Sequence, residues 1–315
     1  MRAAPLVLGL CLLGAAGAGA NGAAPPITAL AFAPDGKSVV VGSQAGLEVR
    51  TWPALNRARS LATELVHIHD LAFAPDGKTL AAVGGAPAKS GTVELYRWPD
   101  GELLHRTRPY RDLIYAVGWR ADSAAFATAS ADRSVGIHDA ASAKTIRILE
   151  GHSRGVLAVV FLPGEAGLVT AGIDESVRLW DVSSGQLLRT LSNHTRPVHG
   201  LALRPRGAEG PPQVASVSDD RTIRLWQPTV GRLMRFVRLE SAPLAVAWTA
   251  DGRALLTACK DGRLRVIDPD TVEVLEDLPA LDGVAYSVAA APDGSVLVGG
   301  QNGQLRRLVV KQSPR

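Results

Sequence analysis

Residues Gly151 to Asp181 read GHSRGVLAVVFLPGEAGLVTAGIDESVRLWD. The stretch opens on Gly151-His152. An alternating apolar run follows, Leu157-Ala-Val-Val-Phe161, with the period of a strand that rests one face on a core. Pro163-Gly164 then turns the chain, because proline presets the first φ of a turn and glycine accepts the positive φ further on. A second run, Leu168-Val-Thr-Ala-Gly172, ends at a turn around Asp174. A third closes on Val177-Arg-Leu-Trp-Asp181. Three short β runs separated by turns make one antiparallel unit.

The unit recurs. Asp174 precedes Trp180 by six residues, and the equivalent anchor positions are Ala45, Ser90, Asp132, Asp174, Asp220, Asp261 and Asn302. Their spacings are 45, 42, 42, 46, 41 and 41 residues, the period of four-stranded units set around an axis. Seven units fill the chain from about Ile27 to Val310 and leave no room for a second domain. Their first strands are Thr28–Phe32, His69–Phe73, Tyr115–Trp119, Leu157–Phe161, His199–Leu203, Leu244–Trp248 and Tyr286–Ala290. Asp-Gly turns follow in four of them, at Pro34-Asp-Gly36, Pro75-Asp-Gly77, Ala250-Asp-Gly252 and Pro292-Asp-Gly294.

The Gly-His opening, the Trp-Asp close and the period together resemble the WD-repeat β-propeller family. The resemblance implies an all-β, seven-bladed propeller with blades near 27–64, 65–108, 109–150, 151–192, 193–239, 240–279 and 280–311. It also implies a structural polar tetrad, in which a Trp donates to a hydroxyl, the hydroxyl to a His and the His to an Asp. Unit four supplies His152, Thr170, Asp174 and Trp180, and unit five His194, Ser216, Asp220 and Trp226. These are also the residue types of a hydrolytic triad. The structural role is expected, since each hydroxyl sits inside a strand and no G-x-S-x-G elbow occurs. Unit three keeps Thr128 and Asp132 but has His138 in the Trp position and no preceding His. Unit six keeps Thr257 and Asp261 but has Ile267. Units one, two and seven lack most of the set.

Two units carry insertions, Gly84 to Ser90 in unit two and Arg206 to Pro212 in unit five. The resemblance puts the first on the top face and the second on the bottom. Blade seven is expected to hold three strands, its open edge guarded by Arg306, Arg307 and Lys311.

The chain has 315 residues, 46% of them hydrophobic, with 32 Gly and 20 Pro, as many short strands and tight turns require. The formal charge is +4, and the basic residues are scattered, which argues against a nucleic-acid partner. Met1 to Ala20, MRAAPLVLGLCLLGAAGAGA, has one Arg, a short apolar run and a small-residue end. It is expected to be a signal peptide cleaved near Ala20, exporting the chain to the periplasm or medium of a bacterial-type cell. The alternative is a cytosolic assembly factor that keeps this segment. After cleavage Cys259 is the one remaining thiol, in an apolar run that suits a buried, inert side chain. The mature chain has no expected transmembrane segment.

His67-Ile-His69 puts two imidazoles on one strand face, too few for a metal site. No C-x-x-C-H and no glycine-rich phosphate loop occurs, so no cofactor is expected. The family's top-face positions fall on Thr28, His67, His69, Leu113, Tyr115, Leu157, His199, Leu244 and Tyr286, joined by Gln44, Ile173, Asp219, Lys260 and Gln301. Aromatic and aliphatic residues with few charges suit a protein surface. The expected function is a non-catalytic scaffold, monomeric on its own, that binds a protein or peptide there. The alternative is a small-ligand-binding or hydrolytic propeller working at the channel mouth, with Asp219 and the three histidines.

Overall fold

The structure is a computed structural model that describes residues 23–164, 167–205 and 210–311. The expected leader, 1–20, and residues 206–209 of the unit-five insertion lie outside the described residues.

Seven antiparallel sheets follow one another along the chain. Blade one is β1 (Ile27–Phe32), β2 (Ser38–Ser43), β3 (Gly46–Thr51) and β4 (Arg57–Leu61). Blade two is β5 (His67–Phe73), β6 (Thr79–Ala86), β7 (Ser90–Arg97) and β8 (Leu103–Tyr110). Blade three is β9 (Ile114–Trp119), β10 (Ala125–Ser130), β11 (Val135–Asp139) and β12 (Thr145–Leu149). Blade four is β13 (Val156–Phe161), β14 (Gly167–Gly172), β15 (Val177–Asp181) and β16 (Leu187–Leu191). Blade five is β17 (Val198–Leu203), β18 (Val214–Ser218), β19 (Thr222–Gln227) and β20 (Arg232–Arg238). Blade six is β21 (Pro243–Trp248), β22 (Leu255–Cys259), β23 (Arg263–Ile267) and β24 (Val274–Pro279). Blade seven has three strands among the described residues, β25 (Ala285–Ala290), β26 (Val296–Gly300) and β27 (Leu305–Leu308).

Each first strand packs on the next, β1 on β5 through to β25 on β1, so the first strands surround the axis and the ring closes. Crowding at the axis selects small residues. The register position of Ala29 is taken by Ala116, Ala158, Gly200, Ala245 and Ser287, with Asp70 the exception in blade two. Between blades the core is apolar. Trp180 packs with residues of blade three such as Ile137 and Leu149, and Trp226 with Leu179 and Leu191 of blade four. Both rings are fully buried. Burying an aromatic ring of this size is worth a few kcal/mol, so these interfaces supply much of the stability.

Blade seven closes the ring without a fourth strand among the described residues. Ile27, Val39 and Val41 of blade one bury against Leu297 of blade seven. Trp52 donates its indole N–H to Asp293 at 3.1 Å, and the Arg307 guanidinium lies 5.4 Å over the same ring. The expected edge guards also make contacts within the fold. Arg307 pairs with Asp293 at 2.9 Å, Arg306 donates to the Ala280 carbonyl at 3.2 Å, and the Lys311 backbone N–H donates to Glu276 at 2.7 Å. Val310 is buried in the core between blades six and seven. The tail therefore staples these blades together.

The unit-two insertion is absorbed by pairing and forms no free loop. Strands β6 and β7 run on to Gly85↔Gly91 and Ala86↔Ser90, lengthening the hairpin.

Candidate functional site

One end of the ring, called the top, holds the crossings from each fourth strand to the next first strand and the turns between second and third strands. The two sets are tied by backbone bonds, among them Ala131 N–H to Leu113, Ile173 N–H to Gly155, Asp219 N–H to Pro197 and Lys260 N–H to Ala242.

Beneath this surface lie polar networks. In blade four Trp180 Nε1 donates to Thr170 Oγ1 at 2.8 Å. Thr170 Oγ1 meets His152 Nε2 at 2.7 Å, and His152 Nδ1 meets Asp174 at 2.9 Å. In blade five Trp226 to Ser216 is 2.8 Å, Ser216 to His194 2.7 Å and His194 to Asp220 2.8 Å. The order of donors, Trp to hydroxyl to His to Asp, satisfies every buried polar atom along each chain. Burial works to raise Asp174 and Asp220. The hydrogen bonds from His152 and Ser176, and from His194 and Thr222, outweigh it and hold both carboxyls well below their ordinary value. Thr170 and Ser216 are fully buried. With the hydroxyl proton directed at His and the indole N–H on the oxygen, neither can reach a substrate.

Three further blades fasten the same place with residues that the tetrad pattern does not contain, Tyr110, Glu94 and Arg265. In blade three Tyr110, at the end of β8, stands where blade four has His152. Its Oη lies 2.6 Å from Thr128 Oγ1, which is 2.8 Å from His138 Nε2. A Cβ on residue 136 would run into Tyr110 Oη and His138 Nε2, which is why Gly136 replaces the Arg of blades four and five. Burial pushes His138 down to about 4, so it is neutral near pH 7. In blade two Glu94 is 0% exposed. It accepts from Thr63 Oγ1 at 2.6 Å, Glu64 N–H at 3.0 Å, Tyr96 Oη at 2.5 Å and Arg106 Nε at 2.7 Å. Burial opposes its charge, yet the donors Thr63, Tyr96, Glu64 and Arg106 together lower its pKa. A charged residue in the middle of an apolar strand was the available signal. In blade six Arg265, 3% exposed, takes over by pairing with Asp261 at 2.7 Å and Asp277 at 3.3 Å. Cys259 there is buried, and burial pushes its thiol up to about 11.

Above the networks is the mouth of the axis. Every first strand carries a one-residue β-bulge next to its small-residue position. The skipped residues are Thr28, His69, Tyr115, Leu157, His199, Leu244 and Tyr286. A bulge frees its residue from the pleat and re-aims the side chain. All seven are half-buried.

The ring is uneven. At blades one to three Gln44 Nε2 lies 3.1 Å from His67 Nδ1, the His67 and His69 rings are 6.4 Å apart, and Tyr115 meets the His69 ring edge-on at 4.9 Å. His69 Nε2 is buried and has no hydrogen-bond partner among the described residues. Burial, then the charge of His67, lowers His69 to about 4. Next to it Asp70 accepts the backbone N–H of Val117 at 2.9 Å and of Leu71 at 2.8 Å. Burial outweighs those bonds and pushes it up to about 6. Across the ring Asp219 holds Lys260 Nζ at 2.7 Å and faces His199 Nε2 at 3.0 Å, off the line of a hydrogen bond. Burial raises Asp219, but His199 and Lys260 bring it to about 2.

Of the remaining expected residues, Ile173 is half-buried beside Gly155, and Gln301 accepts Val284 N–H at 3.2 Å. Leu113 is the most enclosed of the expected top-face residues at 8% exposed, and its carbonyl receives Ser130 Oγ at 3.1 Å. Among the described residues no group of three or more His, Cys, Asp or Glu is arranged to hold a metal ion, and no helix is long and apolar enough to cross a membrane.

Seven antiparallel sheets closed on an axis, six of four strands and one of three among the described residues, define a β-propeller, and two of its blades hold complete Trp-hydroxyl-His-Asp chains. Three segments, 143–181, 185–227 and 239–268, match the family model for the WD domain, G-beta repeat. The chain carries WD40 repeats over these segments, and it folds as a seven-bladed β-propeller. The first two matches run from β12 into β15 and from β16 into β19, so each of these repeats takes its first strand from the preceding blade and ties the two together. No curated protein matches the chain. WD40 propellers generally act as protein-interaction scaffolds and are typically non-catalytic.

Proposed function

We propose that the chain is a non-catalytic scaffold that holds a protein or peptide partner across its top face. One observation carries this reading. The bulges of all seven first strands put residues of differing chemistry around one mouth, while the groups that resemble a triad are buried and mutually satisfied. Aromatic anchors ringed by polar groups are what protein recognition uses. The test is a partner cross-linked to the protein in its native host, followed by Tyr115→Ala combined with Tyr286→Ala. Capture is expected to be lost with the melting temperature unchanged. Full capture by the double variant ends the proposal.

The unpartnered Nε2 of His69 favours a second reading, a small ligand seated at the mouth. Tightly bound stoichiometric metal in the purified protein is the outcome that moves the balance to it. We further propose export with removal of residues 1–20. N-terminal sequencing from the native host is expected to begin at Asn21, and an intact Met1 overturns it.

A further inference from the structure

The scattered arginines of the sequence are not scattered on the fold. Arg111 and Arg154 and Arg196 lie in the crossings into blades three, four and five, and Arg133 and Arg221 in the top turns of blades three and five. Backbone bonds join these segments. The turn bearing Arg133 is bonded through Ala131 N–H to Leu113, two residues past Arg111. The turn bearing Arg221 is bonded through Ser218 Oγ to the carbonyl of Arg196 at 3.0 Å. Gly155, next to Arg154, packs on Ala131 of the blade-three turn. The five therefore occupy one arc over three consecutive blades.

All five are exposed, and none of their guanidinium groups has a hydrogen bond or ion pair among the described residues. Most acids of the same loops accept hydrogen bonds. Asp112 accepts Ala88 and Leu113 N–H, Asp132 accepts Ser134, Asp174 and Asp220 face their histidines, and Asp219 holds Lys260. Asp112 and Asp132 meet neutral donors alone, and Glu150 and Glu175 have no side-chain partner, so four carboxylates stand among the five guanidinium groups without a cation of their own. The top loops of blades six, seven and one differ. Their one cation among the described residues, Lys260, is paired, and they expose the carboxylates of Glu240 and Asp282. The unpaired guanidinium groups of the top face therefore all lie on the side of blades three to five.

We propose that the top loops of blades three to five dock an acidic segment of a partner polypeptide. Its carboxylates meet Arg111, Arg133, Arg154, Arg196 and Arg221, and its apolar side chains reach the mouth at Tyr115 and Leu157. This rests on the top-face reading above and names the chemistry of the partner. Arginine presents a planar fork that matches a carboxylate with two parallel bonds. Unpaired cations beside an apolar patch also steer an acidic partner into register. Glu150 and Glu175 interrupt the arc. A nucleic acid, charged at every unit, meets them with repulsion, whereas a peptide can place its carboxylates between them.

The experiment uses the full chain and a fluorescein-labelled peptide in which Glu alternates with Ser and Leu. Binding is followed by anisotropy against rising salt. The wild type is expected to bind this peptide, with affinity falling as salt is added, and to ignore the same peptide with Lys for Glu. Arg133→Glu, Arg154→Glu and Arg221→Glu together are expected to weaken binding about tenfold or more, with an unchanged melting temperature because these exposed side chains make no hydrogen bond or ion pair among the described residues. Lys144→Glu with Arg232→Glu, two exposed cations at the opposite end, should leave it intact. The proposal is overturned if the wild type does not bind the Glu peptide. Equal loss in the Lys144/Arg232 control, or tighter capture of an oligothymidylate of the same length at matched salt, overturns it too. If the three-arginine variant holds the cross-linked partner normally while the Tyr115/Tyr286 variant loses it, the top-face reading stands and the acidic partner falls.

Discussion

Blade four and blade two meet the same requirement with opposite chemistry. Each must fasten the incoming crossing to its own third strand at the top. Blade four does so with a chain of hydrogen bonds through Trp180, Thr170 and His152 that ends on the carboxylate of Asp174. Blade two puts a carboxylate, Glu94, at the register position of Arg178, and Tyr96 at that of Trp180. The crossing then supplies donors, Thr63 and the N–H of Glu64, and Arg106 adds the counter-charge. The fold fixes the place where a polar fastening is needed and leaves its composition open. The two solutions differ in what happens when one part is removed. A buried charge stripped of partners costs far more than a neutral donor lost.

The largest expected effect follows directly. Glu94→Ala leaves Tyr96, Thr63 and the Glu64 N–H without their common acceptor and should lower the unfolding free energy by about 3–5 kcal/mol, read from urea unfolding. If the loss is no greater than for a neutral tetrad member, the distinction between the two blades is wrong.

Blade three sharpens the comparison through pH. His138 is held neutral by burial at a pKa of about 4, against about 6.5 in an unfolded chain. Below the unfolded value the unfolded state binds the proton and the folded state does not, so stability falls as pH drops from about 6.5 towards 4. His138 accounts for about 3 kcal/mol of this at pH 4. Asp70 acts in the opposite sense. Its raised pKa, about 6, makes the folded state the better proton binder, so its share of the stability grows as pH falls below that value. The measurement is therefore a difference. His138→Leu, destabilised at neutral pH, should show a flatter pH profile than the wild type, with Asp70 common to both. Parallel profiles would show that His138 does not titrate with folding. Asp174, Asp220 and Glu94 have depressed values and act lower. Their stabilisation is present above about pH 4 and is lost as pH falls below it.

Asp174→Ala comes next, at about 1–3 kcal/mol. It removes the acceptor of His152 Nδ1 and of the Ser153 N–H at the outer end of the chain. Water can reach this end more readily than Glu94, and a loss above that range in a thermal melt would make the tetrad as charge-dependent as blade two.

The fold was legible in the sequence because its signals are local. Alternating runs such as Leu157–Phe161 and turns such as Pro34-Asp-Gly36 need no knowledge of distant residues. The blade-four and blade-five networks were legible because their residues recur at fixed spacings. Tyr110 was not, since it reaches Thr128 from the end of the preceding blade and matches no tetrad residue type. Glu94 was not, since its partners Thr63, Tyr96 and Arg106 lie on three separate segments. The mouth residues were named in sequence, but the bulge that turns each of them out is a property of backbone register. The arginine arc was the hardest to see. Arg111, Arg133, Arg154, Arg196 and Arg221 are far apart in sequence, and only the closing of blades three to five onto one axis gathers them.

The smallest effects test the comparison most finely, because they change one atom's role in each blade and keep the ring. Tyr96→Phe removes the hydroxyl that donates to Glu94 at 2.5 Å, and Trp180→Phe removes the N–H that donates to Thr170 at 2.8 Å. A bond to a charged acceptor is worth about 1.5–3 kcal/mol and one to a neutral acceptor about 0.5–1.5 kcal/mol. Trp180→Phe also shrinks a fully buried ring, which adds a packing loss with no counterpart in Tyr96→Phe. The packing loss is removed by a double-mutant cycle with Thr170→Val, whose coupling term isolates the Trp180 to Thr170 bond. The matching cycle pairs Tyr96→Phe with Glu94→Gln. A coupling of about 2 kcal/mol in blade two against about 1 kcal/mol in blade four is expected. Equal couplings would mean that Arg106 already neutralises Glu94 so well that the acceptor behaves as a neutral one, and blade two would then be a rearranged tetrad in energy as well as in place.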